Sequence, residues 1–588
     1  MVEKFRLGNK EVTQILKEIL AAMEVKDFNK FKIRAYQNAI ASMEALTSSV
    51  FDMWQAGRLQ EIPGVGGGLS QHLEELFTTG DVKEFKLTKQ GLPDGMFGLI
   101  GIRGIGAKKA FKLATAFHLT KREEAVEKLK EFAEQGKIRE LEGFGEKSEK
   151  DILDAISEAK LNKNVKQRML LITAEDVADR ICEYIKRLPG VGDVIALGSL
   201  RRRQPTVGDL DIVAVYEDGD ELINHFLKFP EISEVVVQGD KKVTVDLTTG
   251  VQVDVRVATK EDFGSFVQYS TGNKQHNIEL RTYALENGMS LSEYGIKHKG
   301  KLQTFATEEE FYKYLHLPCF PPELRQGKDE INLAIEGKLP KLVKHDDIKG
   351  DLHCHTIASD GLNTLSEMVN AGKELGYQYI GITDHAPSVL SRGFEEVNEL
   401  IDRQRKNIEA LDQAQKDIRV FFGYEVNILA DCTLALPDEV LAKLDYVVAS
   451  IHTSFNQPRE LITERLIKAI ENPYVTIIGH PTGRLINERE PVDADWTKVL
   501  DACLKHNKML EINSQPNRLD LTEDLVYEAR KRGIRLIINS DAHDTASLNF
   551  MKYGLDVARR GFCERKDIIN TLSLEDLLAL PNCFLHQK

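Results

Sequence analysis

The sequence predicts a multidomain chain with a helical N-terminal region, a central α/β region and a C-terminal barrel of alternating strands and helices. Three observations predict it. Gly-x-Gly turns recur in the first 150 residues, an Asp-x-Asp pair lies in a central apolar run, and seven later apolar runs end at polar or metal-binding side chains. A chain of 588 residues can form several cores. The boundaries that we expect are 1–90, 91–160, 161–317, a linker at 318–348, and 349–588.

The composition is that of an ordinary globular protein from a reducing compartment. Hydrophobic residues make up 42% and charged residues 29% of the chain, and no apolar run approaches the length that spans a bilayer. The N terminus shows no signal peptide, and the seven cysteines are scattered without a CxxC pair. We therefore expect a cytoplasmic protein without a membrane partner and without a disulfide or structural zinc framework.

The net charge of −14 is unevenly distributed along the chain. Residues 1–170 hold 28 Lys and Arg against 25 Asp and Glu, whereas the remaining residues hold 50 against 67. Any surface that binds nucleic acid must therefore be local, and acidic metal sites would explain part of the negative excess.

Three related turns recur in the helical region, at Ile62–Gly66, Ile102–Gly106 and Leu141–Gly145. Their first glycines are 40 and 39 residues apart, and an apolar residue two positions before the first glycine anchors each turn. Such a turn presents N–H groups to a phosphate without side chains in the way. The turns resemble helix-hairpin-helix motifs, which hold the DNA backbone without reading sequence. The candidate contacts are Gly64, Gly66, Gly104, Gly106, Lys108, Lys109, Gly143 and Gly145.

The central region is organised around Asp209 and Asp211, which alternate with apolar residues and would share one face of a strand. Adjacent carboxylates repel unless a cation lies between them, and oxygen-only ligands suit Mg²⁺ or Mn²⁺. A third carboxylate, Asp254, lies in a second alternating run. Upstream, a Gly-Ser turn and Arg201–Arg203 offer N–H groups and positive charge to a polyphosphate. The pattern predicts a two-metal nucleotidyltransferase centre.

From Gly198 to Asp211 the chain resembles, without a gap, family X DNA polymerases of the nucleotidyltransferase superfamily. The resemblance implies an α/β palm with a thumb, in which Asp209 and Asp211 bridge two Mg²⁺ or Mn²⁺ ions and Asp254 binds the ion nearer the primer 3′-OH. It implies gapped or primer–template DNA and dNTPs as partners. The implied nucleotide contacts are Ser199, Arg202 and Gly208 at the triphosphate, Tyr269 beside the sugar, Gly272, and Asn277 at the minor groove.

Two departures from the family pattern bear on activity. Ser270 replaces an aromatic residue with a smaller one, so the sequence leaves open whether the site excludes nucleotides that carry a ribose 2′-OH. His72 stands where eukaryotic relatives have the lysine that cleaves abasic sugar through a Schiff base, and Gly68 replaces a nearby lysine. Imidazole cannot form that imine, so we expect no lyase activity by this route. We interpret Lys30 and Lys32 as solvated or phosphate-facing residues.

The last 240 residues contain seven apolar runs that stop at polar residues and are separated by helical stretches. Such repeats predict a parallel barrel whose active site lies at the C-terminal strand ends. Six of the seven histidines between 351 and 543 lie at such ends, and with neighbouring carboxylates they suit Zn²⁺, Mn²⁺ or Fe²⁺. The runs are 349–355, 379–385, 420–425, 446–452, 475–481, 509–513 and 536–543.

These runs resemble the full motif set of the PHP (polymerase and histidinol phosphatase) domain, a distorted (β/α)7 barrel. The resemblance implies about three metal ions, held by His353, His355, Glu425 and Asp541, by Glu425, His452 and His480, and by Asp360, His385 and His543. All nine ligand positions are filled, which favours an active phosphoesterase over a decayed scaffold. Arg484, four residues after His480, is a candidate ligand for substrate phosphate.

Together these regions resemble a bacterial or archaeal family X DNA polymerase with a C-terminal PHP domain. From this resemblance we expect a monomer that fills short gaps in DNA repair in a template-directed reaction. We expect the PHP site to be a 3′–5′ exonuclease that also processes blocked 3′ ends or cuts at abasic sites. Three alternatives remain: a small-molecule phosphatase, a template-independent nucleotidyltransferase, and a non-catalytic scaffold for DNA ends. The hairpins argue against the first and the intact carboxylate sets against the third. The template-independent nucleotidyltransferase is distinguished only by whether nucleotide incorporation depends on the template base.

Overall fold

The computed structural model describes residues 7, 9–45, 50–55, 57–62, 64–100, 102, 105–141, 143–153, 156 and 168–580. The chain separates into two compact units, Met1–Lys166 and Gln167–Lys588. The finer subdivisions at residues 90 and 160 stay predictions.

The N-terminal unit is helical, and its helices bury apolar stripes. In the first helix, Asn9–Val25, the side chains of Val12, Leu16, Ile19 and Met23 recur at helical spacing and are buried in one apolar cluster. A second cluster is built mainly from the helices after residue 90. The helices are Asn9–Val25, Lys30–Ala45, Val50–Gln55, Gly67–Thr79, Lys83–Lys89, Gly95–Gly98, Ala107–Ala116, Arg122–Glu134 and 146–153, with a short 3₁₀ turn at Leu59–Glu61.

The three predicted hairpins share one backbone pattern. The amides of Val65, Ile105 and Phe144 each donate to the carbonyl three residues earlier, at 2.9, 3.0 and 2.9 Å. Gly64 has a φ of +90°, and a Cβ there would lie 2.5 Å from the backbone nitrogen of Ala39, so only glycine fits. The shared pattern supports three equivalent turns.

The second glycine of each hairpin faces open space. A Cβ on Gly66, Gly106 or Gly145 would meet no described atom within 4 Å. Each of these glycines directly precedes a helix, so the N–H groups of the first helical turn lie beside the glycine. Gly104 lies outside the described residues.

The second unit opens with a five-stranded sheet that carries the central aspartates. The strand Leu210–Val215 pairs in parallel with Gln252–Ala258, and the remaining pairs are antiparallel. Leu210 and Ile212 are buried against the helix Leu171–Ile185, as their alternation predicts. The spatial order is Val194–Ala196, Leu210–Val215, Gln252–Ala258, Lys242–Leu247 and Ile232–Gln238; a two-stranded pair, Met169–Leu170 with Thr206–Val207, and the helices Gly198–Arg201 and Gly219–Phe226 complete the palm.

A thumb follows the palm and packs around its own apolar cluster. Its helices are Phe263–Thr271, Lys274–Glu286, Glu308–Tyr314 and Glu330–Ile335, and its antiparallel strands are Met289–Ser292, Gly295–His298 and Lys301–Gln303.

The segment 318–348, predicted as a linker from its prolines and glycines, is folded instead. Phe320, Leu324 and Arg325 are fully buried, and a helix spans Glu330–Ile335. The prediction weighed the turn-forming residues above the apolar ones, but the apolar side chains pack into the thumb cluster and against the C-terminal domain. Two 3₁₀ turns, Pro322–Leu324 and His345–Asp347, also lie in this segment.

The C-terminal domain is a seven-stranded parallel barrel in sequence order, as predicted. The strands are Gly350–Cys354, Tyr379–Ile382, Arg419–Asn427, Tyr446–Ser450, Ile477–Ile478, Met509–Asn513 and Leu536–Asn539. A bridge between Cys354 and Ala542 brings the first and last strands together. Cys354 is fully buried, as expected of a core residue.

Helices cover the outside of the barrel. They are Leu365–Glu374, Val389–Arg392, Phe394–Ala414, Asp438–Leu441, Arg459–Glu471, Trp496–His506, Glu523–Lys531, Met551–Arg560 and Leu574–Leu578, with 3₁₀ turns at Ser547–Phe550, Arg565–Asp567 and Ile569–Thr571. In the part of the chain that the structure describes, no helix is both long enough and apolar enough to cross a membrane.

Candidate active sites

The palm brings its three predicted aspartates to one edge. In the parallel pairing Asp211 stands directly opposite Asp254, and Asp209 immediately precedes the same strand as Asp211. Gly198 has a φ of +59°, and a Cβ there would lie 2.6 Å from Oδ2 of Asp211. Burial, with the charges of Asp209 and Asp254, raises the pKa of Asp211 to about 6.

The donor set of the palm fits a divalent cation. Three carboxylates crowd together, and Asp254 already attracts cationic and polar partners: Nζ of Lys242 at 2.7 Å and the hydroxyl of Thr244 at 2.6 Å. An all-oxygen set of this kind suits Mg²⁺ or Mn²⁺, and such an ion would relieve the repulsion that Asp211 experiences.

A cleft of about 620 Å³ surrounds the aspartates. All three aspartates and five of the six predicted nucleotide contacts line it, namely Ser199, Arg202, Tyr269, Gly272 and Asn277. Gly208 is not among the lining residues; a Cβ on it would lie 2.8 Å from Nη1 of Arg168, which does line the cleft. We therefore interpret Gly208 as a residue whose lack of a side chain leaves room for Arg168.

Four cationic residues of the cleft were missed in the sequence: Arg168, Arg256, Lys274 and Arg281. The guanidinium of Arg281 lies 5.3 Å from the ring centre of Tyr269, a distance typical of a cation–π contact. Arg256 follows Asp254 at an interval of two on the same strand, and this alternation could have identified it. The other three lie outside the aspartate motif, and only the fold brings them near it.

The three consecutive arginines do not all face the cleft. Arg201 donates to the hydroxyl of Thr271 at 2.6 Å and pairs with Glu308 of the thumb at 2.5 Å. Arg202 lines the cleft and donates to the carbonyl of Thr271. Burial, with the nearby guanidinium of Arg560, lowers the pKa of Arg202 to about 10. All three arginines were expected to supply positive charge to a polyphosphate, but of the three only Arg202 lines the cleft.

The amide of Asn277 has partners within the thumb. Its Nδ2 donates to the carbonyl of Tyr269 at 2.8 Å, and its Oδ1 accepts from Gln268 at 3.0 Å. These bonds fix Asn277 beside Tyr269 at the cleft wall, where both were predicted to contact the nucleotide.

The barrel gathers all nine predicted metal ligands around Glu425. Three groups of potential ligand atoms each lie within 4.8 Å of one another: His355 with Asp360, His385 and His543; His353 with His355 and Glu425; and His385 with Glu425 and His452. His480 Nε2 lies 2.7 Å from Oε1 of Glu425, and His355 Nε2 lies 3.2 Å from Oδ1 of Asp541. The groups overlap the three sets that the PHP resemblance implies without reproducing them member for member.

Unsatisfied nitrogens in this cluster test whether metal ions would fit. Among the described residues, Nε2 of His353, both ring nitrogens of His355 and Nδ1 of His480 are buried and have no hydrogen-bond partner. Burial lowers the pKa of both His355 and His452 to about 4, which keeps these rings neutral and able to bind metal. Mixed imidazole and carboxylate donors suit Zn²⁺, Mn²⁺ or Fe²⁺.

The carboxylates of the cluster are held in their charged form. Burial alone would raise the pKa of Glu425, but His452, His353 and His385 hold it well below its usual range. Asp541 behaves in the same way, because His353 and His355 outweigh its burial. The cluster therefore carries carboxylates ready to bind cations.

Glu511 is a functional residue that the sequence analysis missed. It is fully buried in the middle of the strand Met509–Asn513, and its carboxylate accepts from Nδ1 of His353 at 2.7 Å and from the amide of His480 at 2.7 Å. Fixing Nδ1 turns Nε2 of His353 toward Glu425, 3.5 Å away. The polar end of the run 509–513 was the available signal.

Arg484 is committed to the main chain. Its Nε donates to the carbonyl of Arg518 at 2.7 Å, and a terminal nitrogen donates to the carbonyl of Leu519. A role in binding substrate phosphate stays a prediction.

In the N-terminal unit, His72 lies in a polar cluster. Its ring contacts the hydroxyl of Tyr36 at 3.2 Å and Glu84 at 2.9 Å, and Lys32 pairs with the same Glu84 at 2.7 Å. Lys108 of the second hairpin pairs with Asp27 at 2.6 Å. The DNA contacts of the hairpin residues stay predictions.

Comparisons with known proteins extend over nearly the whole chain. "DNA polymerase/3'-5' exonuclease PolX" of Bacillus subtilis (strain 168) is 36% identical over 578 residues, which are 97% of this chain and 99% of that protein. This chain belongs to the PolX family. The matching domain families are a helix-hairpin-helix domain (7–82), a SAM-like helix-hairpin-helix tandem (98–158), the DNA polymerase beta thumb (266–326) and the PHP domain (351–515).

A second group of relatives covers a smaller share of the chain. Two proteins named probable phosphatases, from Thermoanaerobacter sp. (strain X514) and Thermoanaerobacter pseudethanolicus, are each 31% identical over 232 residues, or 38% of this chain and 89% of their own length. Membership of the PolX family, with its hairpin, thumb and PHP domains, implies that the chain binds DNA and uses divalent metal ions.

Proposed function

We propose that this chain is a template-directed DNA polymerase that fills short gaps during repair, and that its barrel is a metal-dependent 3′–5′ exonuclease. The observation that carries the polymerase half is the parallel pairing of Asp211 with Asp254 at the floor of a cationic cleft. The cluster around Glu425, with its unsatisfied buried imidazole nitrogens, supports the exonuclease half. The kinship with the Bacillus subtilis PolX over 97% of the chain supports both.

In the proposed polymerase reaction the primer 3′-OH attacks the α-phosphate of a dNTP and pyrophosphate leaves. Divalent ions held by Asp209, Asp211 and Asp254 would neutralise the charge that develops on the phosphates. Ser199 and Arg202 bind the triphosphate. Tyr269 flanks the sugar, and its position against Arg281 keeps the ring in place.

In the proposed exonuclease reaction a phosphodiester at the 3′ end is hydrolysed. Ions held by the nine barrel ligands would supply a nucleophile from water at neutral pH and polarise the phosphate. Glu511 fixes the orientation of His353, and Asn427 does the same for His452 through a 2.6 Å bond between its Oδ1 and Nδ1 of the ring. Removal of blocked 3′ ends and cleavage at abasic sites fall within the same chemistry.

The finer properties follow from the donor sets. We propose two Mg²⁺ or Mn²⁺ ions in the palm, because its ligands are carboxylates, and about three Zn²⁺, Mn²⁺ or Fe²⁺ ions in the barrel, because imidazoles dominate there. We further propose a cytoplasmic monomer without lyase activity through position 72, since a histidine cannot form the imine.

The testing experiment uses end-labelled DNA with a one-nucleotide gap and Mn²⁺, with and without dNTPs. It compares the wild type with Asp209→Ala/Asp211→Ala and with His353→Ala. We expect templated extension to disappear in the aspartate variant alone and shortening to disappear in the histidine variant alone. Shortening by all three proteins would place degradation elsewhere, and absence of extension by the wild type would reduce the chain to a DNA-binding phosphoesterase.

The phosphatase relatives favour a second candidate for the barrel, hydrolysis of a small phosphate monoester. The two candidates differ in substrate. Turnover of histidinol phosphate without shortening of DNA would support the phosphatase, and the reverse would support the exonuclease.

A further inference from the structure

The side chain of Arg203 does not line the polymerase cleft but contacts the C-terminal domain. Its Nε donates to Oδ2 of Asp556 at 2.7 Å, and a terminal nitrogen donates to Glu175 of the palm. Asp556 lies on the helix Met551–Arg560, which we call the bridging helix, and its side chain is only 12% exposed. The neighbouring Arg202 lines the nucleotide cleft, so one turn of chain joins the cleft to the barrel domain.

The backbone of Arg203 adopts a conformation that needs external support. Its φ is +57°, in the left-handed region that L-residues other than glycine rarely occupy. The bridging helix supplies a second hold, because Nη1 of the fully buried Arg560 donates to the carbonyl of Arg203 at 2.9 Å. Residues in such conformations persist where their surroundings over-determine them.

The same face of the bridging helix also holds Glu175, the palm partner of Arg203. The hydroxyl of Tyr553 donates to Glu175 at 2.8 Å, and Lys552 lies 3.4 Å from the same carboxylate oxygen. Residues 553, 556 and 560 recur at helical spacing, so they project on one side of the helix. Side chains of the bridging helix therefore hold both the side chain and the main chain of Arg203.

We propose that Asp556, a residue of the PHP domain, is a positioning residue for the incoming nucleotide in the polymerase site. By holding Arg203 it sets the direction in which Arg202 enters the cleft. The proposal rests on the proposed polymerase function. It gives the barrel domain a role in nucleotide binding that is separate from its own metal cluster.

The test compares Asp556→Asn in the full-length protein with a matched control, Glu323→Gln. Glu323 also pairs with the bridging helix, through Arg559 at 2.9 Å, and the exposed fractions of that pair, 20% and 13%, resemble the 22% and 12% of Arg203 and Asp556. The described ion pair of Glu323 is with Arg559 and not with Arg203. The two variants therefore weaken the attachment of the same helix to a comparable extent, but only one of them disturbs Arg203.

Gap filling is measured as KM for the dNTP and as kcat, together with inhibition by pyrophosphate. For Asp556→Asn we expect the KM and the pyrophosphate inhibition constant to rise about fivefold to tenfold with a smaller change in kcat, since one charge-assisted hydrogen bond is weakened. Glu323→Gln should leave both constants unchanged, and 3′–5′ shortening should be normal in both. Arg203→Lys, which keeps the charge but loses the Nε donor, should raise the KM in the same direction and serves if Asp556→Asn does not fold.

Three outcomes would overturn the proposal. The first is a KM for the dNTP within twofold of the wild-type value in both Asp556→Asn and Arg203→Lys. The second is an equal rise of this KM in Glu323→Gln. The third is a further rise of the KM, as large as that caused by Asp556→Asn alone, when Asp556→Asn is added to Arg203→Ala. Failure of the proposed function looks different, because then the wild type itself would not extend the primer.

Discussion

The palm and the barrel both gather carboxylates, yet they treat the charge in opposite ways. In the palm, crowding with Asp209 and Asp254 adds to burial and raises the pKa of Asp211 to about 6. In the barrel, the imidazoles around Glu425 and Asp541 hold the pKa values of these more deeply buried carboxyls below their usual range. The difference comes from the donor set and not from burial, because burial by itself raises the pKa of a carboxyl in either place.

This contrast indicates two modes of metal use. The barrel cluster is already compensated by its own histidines and is enclosed, so we expect resident ions that stay bound between turnovers. The palm cluster is open and, despite the nearby Lys242 and Arg256, under-compensated, so we expect its ions to bind with the triphosphate, whose charge adds to that of the aspartates. Four substitutions test the contrast.

Glu425→Gln should have the largest effect. Glu425 lies within 3.7 Å of five histidines and belongs to two of the three ligand groups. Because the third group shares His355 and His385 with those two, loss of the Glu425 charge should disrupt all bound ions together. We expect 3′–5′ shortening to fall by about 10³-fold or more, with loss of bound metal in elemental analysis and unchanged extension. Retention of full metal content would show that the barrel ions do not depend on this carboxylate.

Gly198→Ala should have the next largest effect, and only in the palm. The added Cβ would meet Oδ2 of Asp211 at 2.6 Å, and the φ of +59° disfavours any side chain. A small displacement of Asp211 should lower kcat for extension by about 10²-fold and leave shortening intact. Gly300→Ala is the control, because it has a φ of +80° but no described atom within 4 Å of a new Cβ. An equal loss in both variants would trace the effect to backbone strain alone.

Much of this contrast could be predicted from the sequence, because it depends on local patterns. The alternation around Asp211 and the polar ends of seven apolar runs place ligands on strand faces and strand ends, whatever the rest of the fold. Arg168 and the outward direction of Arg203 could not be predicted, because both depend on how distant elements pack. The segment 318–348 shows the opposite error. Its turn-forming residues predicted a linker, although its apolar side chains pack into the thumb cluster.

Glu511→Gln should weaken the barrel through orientation alone. Glu511 is not one of the nine predicted ligands; it holds Nδ1 of His353 at 2.7 Å. We expect metal affinity, measured by competition with a chelator, to fall about 10- to 100-fold, with extension unchanged. Asp384→Asn is the matched control, a buried carboxylate just after the strand Tyr379–Ile382 that accepts from Thr356 and Ser359. Its substitution should lower the melting temperature without a comparable loss of metal affinity.

Lys242→Ala should have the smallest effect, and it should be a gain. The ammonium of Lys242 lies 2.7 Å from Oδ2 of Asp254 and therefore competes with any cation for that carboxylate. Its removal should tighten Mn²⁺ binding to the palm about twofold to fivefold, a size typical of a partly exposed ion pair. The measurement is a Mn²⁺ titration without DNA, so that contacts of Lys242 with phosphates do not contribute, in a protein that also carries Glu425→Gln to silence the barrel.

Lys241→Ala separates this local competition from a general change in charge. Lys241 is the adjacent exposed lysine, and the two variants have the same net charge. If the palm is under-compensated, only the loss of Lys242 should tighten Mn²⁺ binding, because only Lys242 occupies the place of a cation beside Asp254. Weaker Mn²⁺ binding in Lys242→Ala would mean that the lysine holds the aspartates in place for the ion. The palm would then be preorganised by its own lysine, as the barrel is by its histidines.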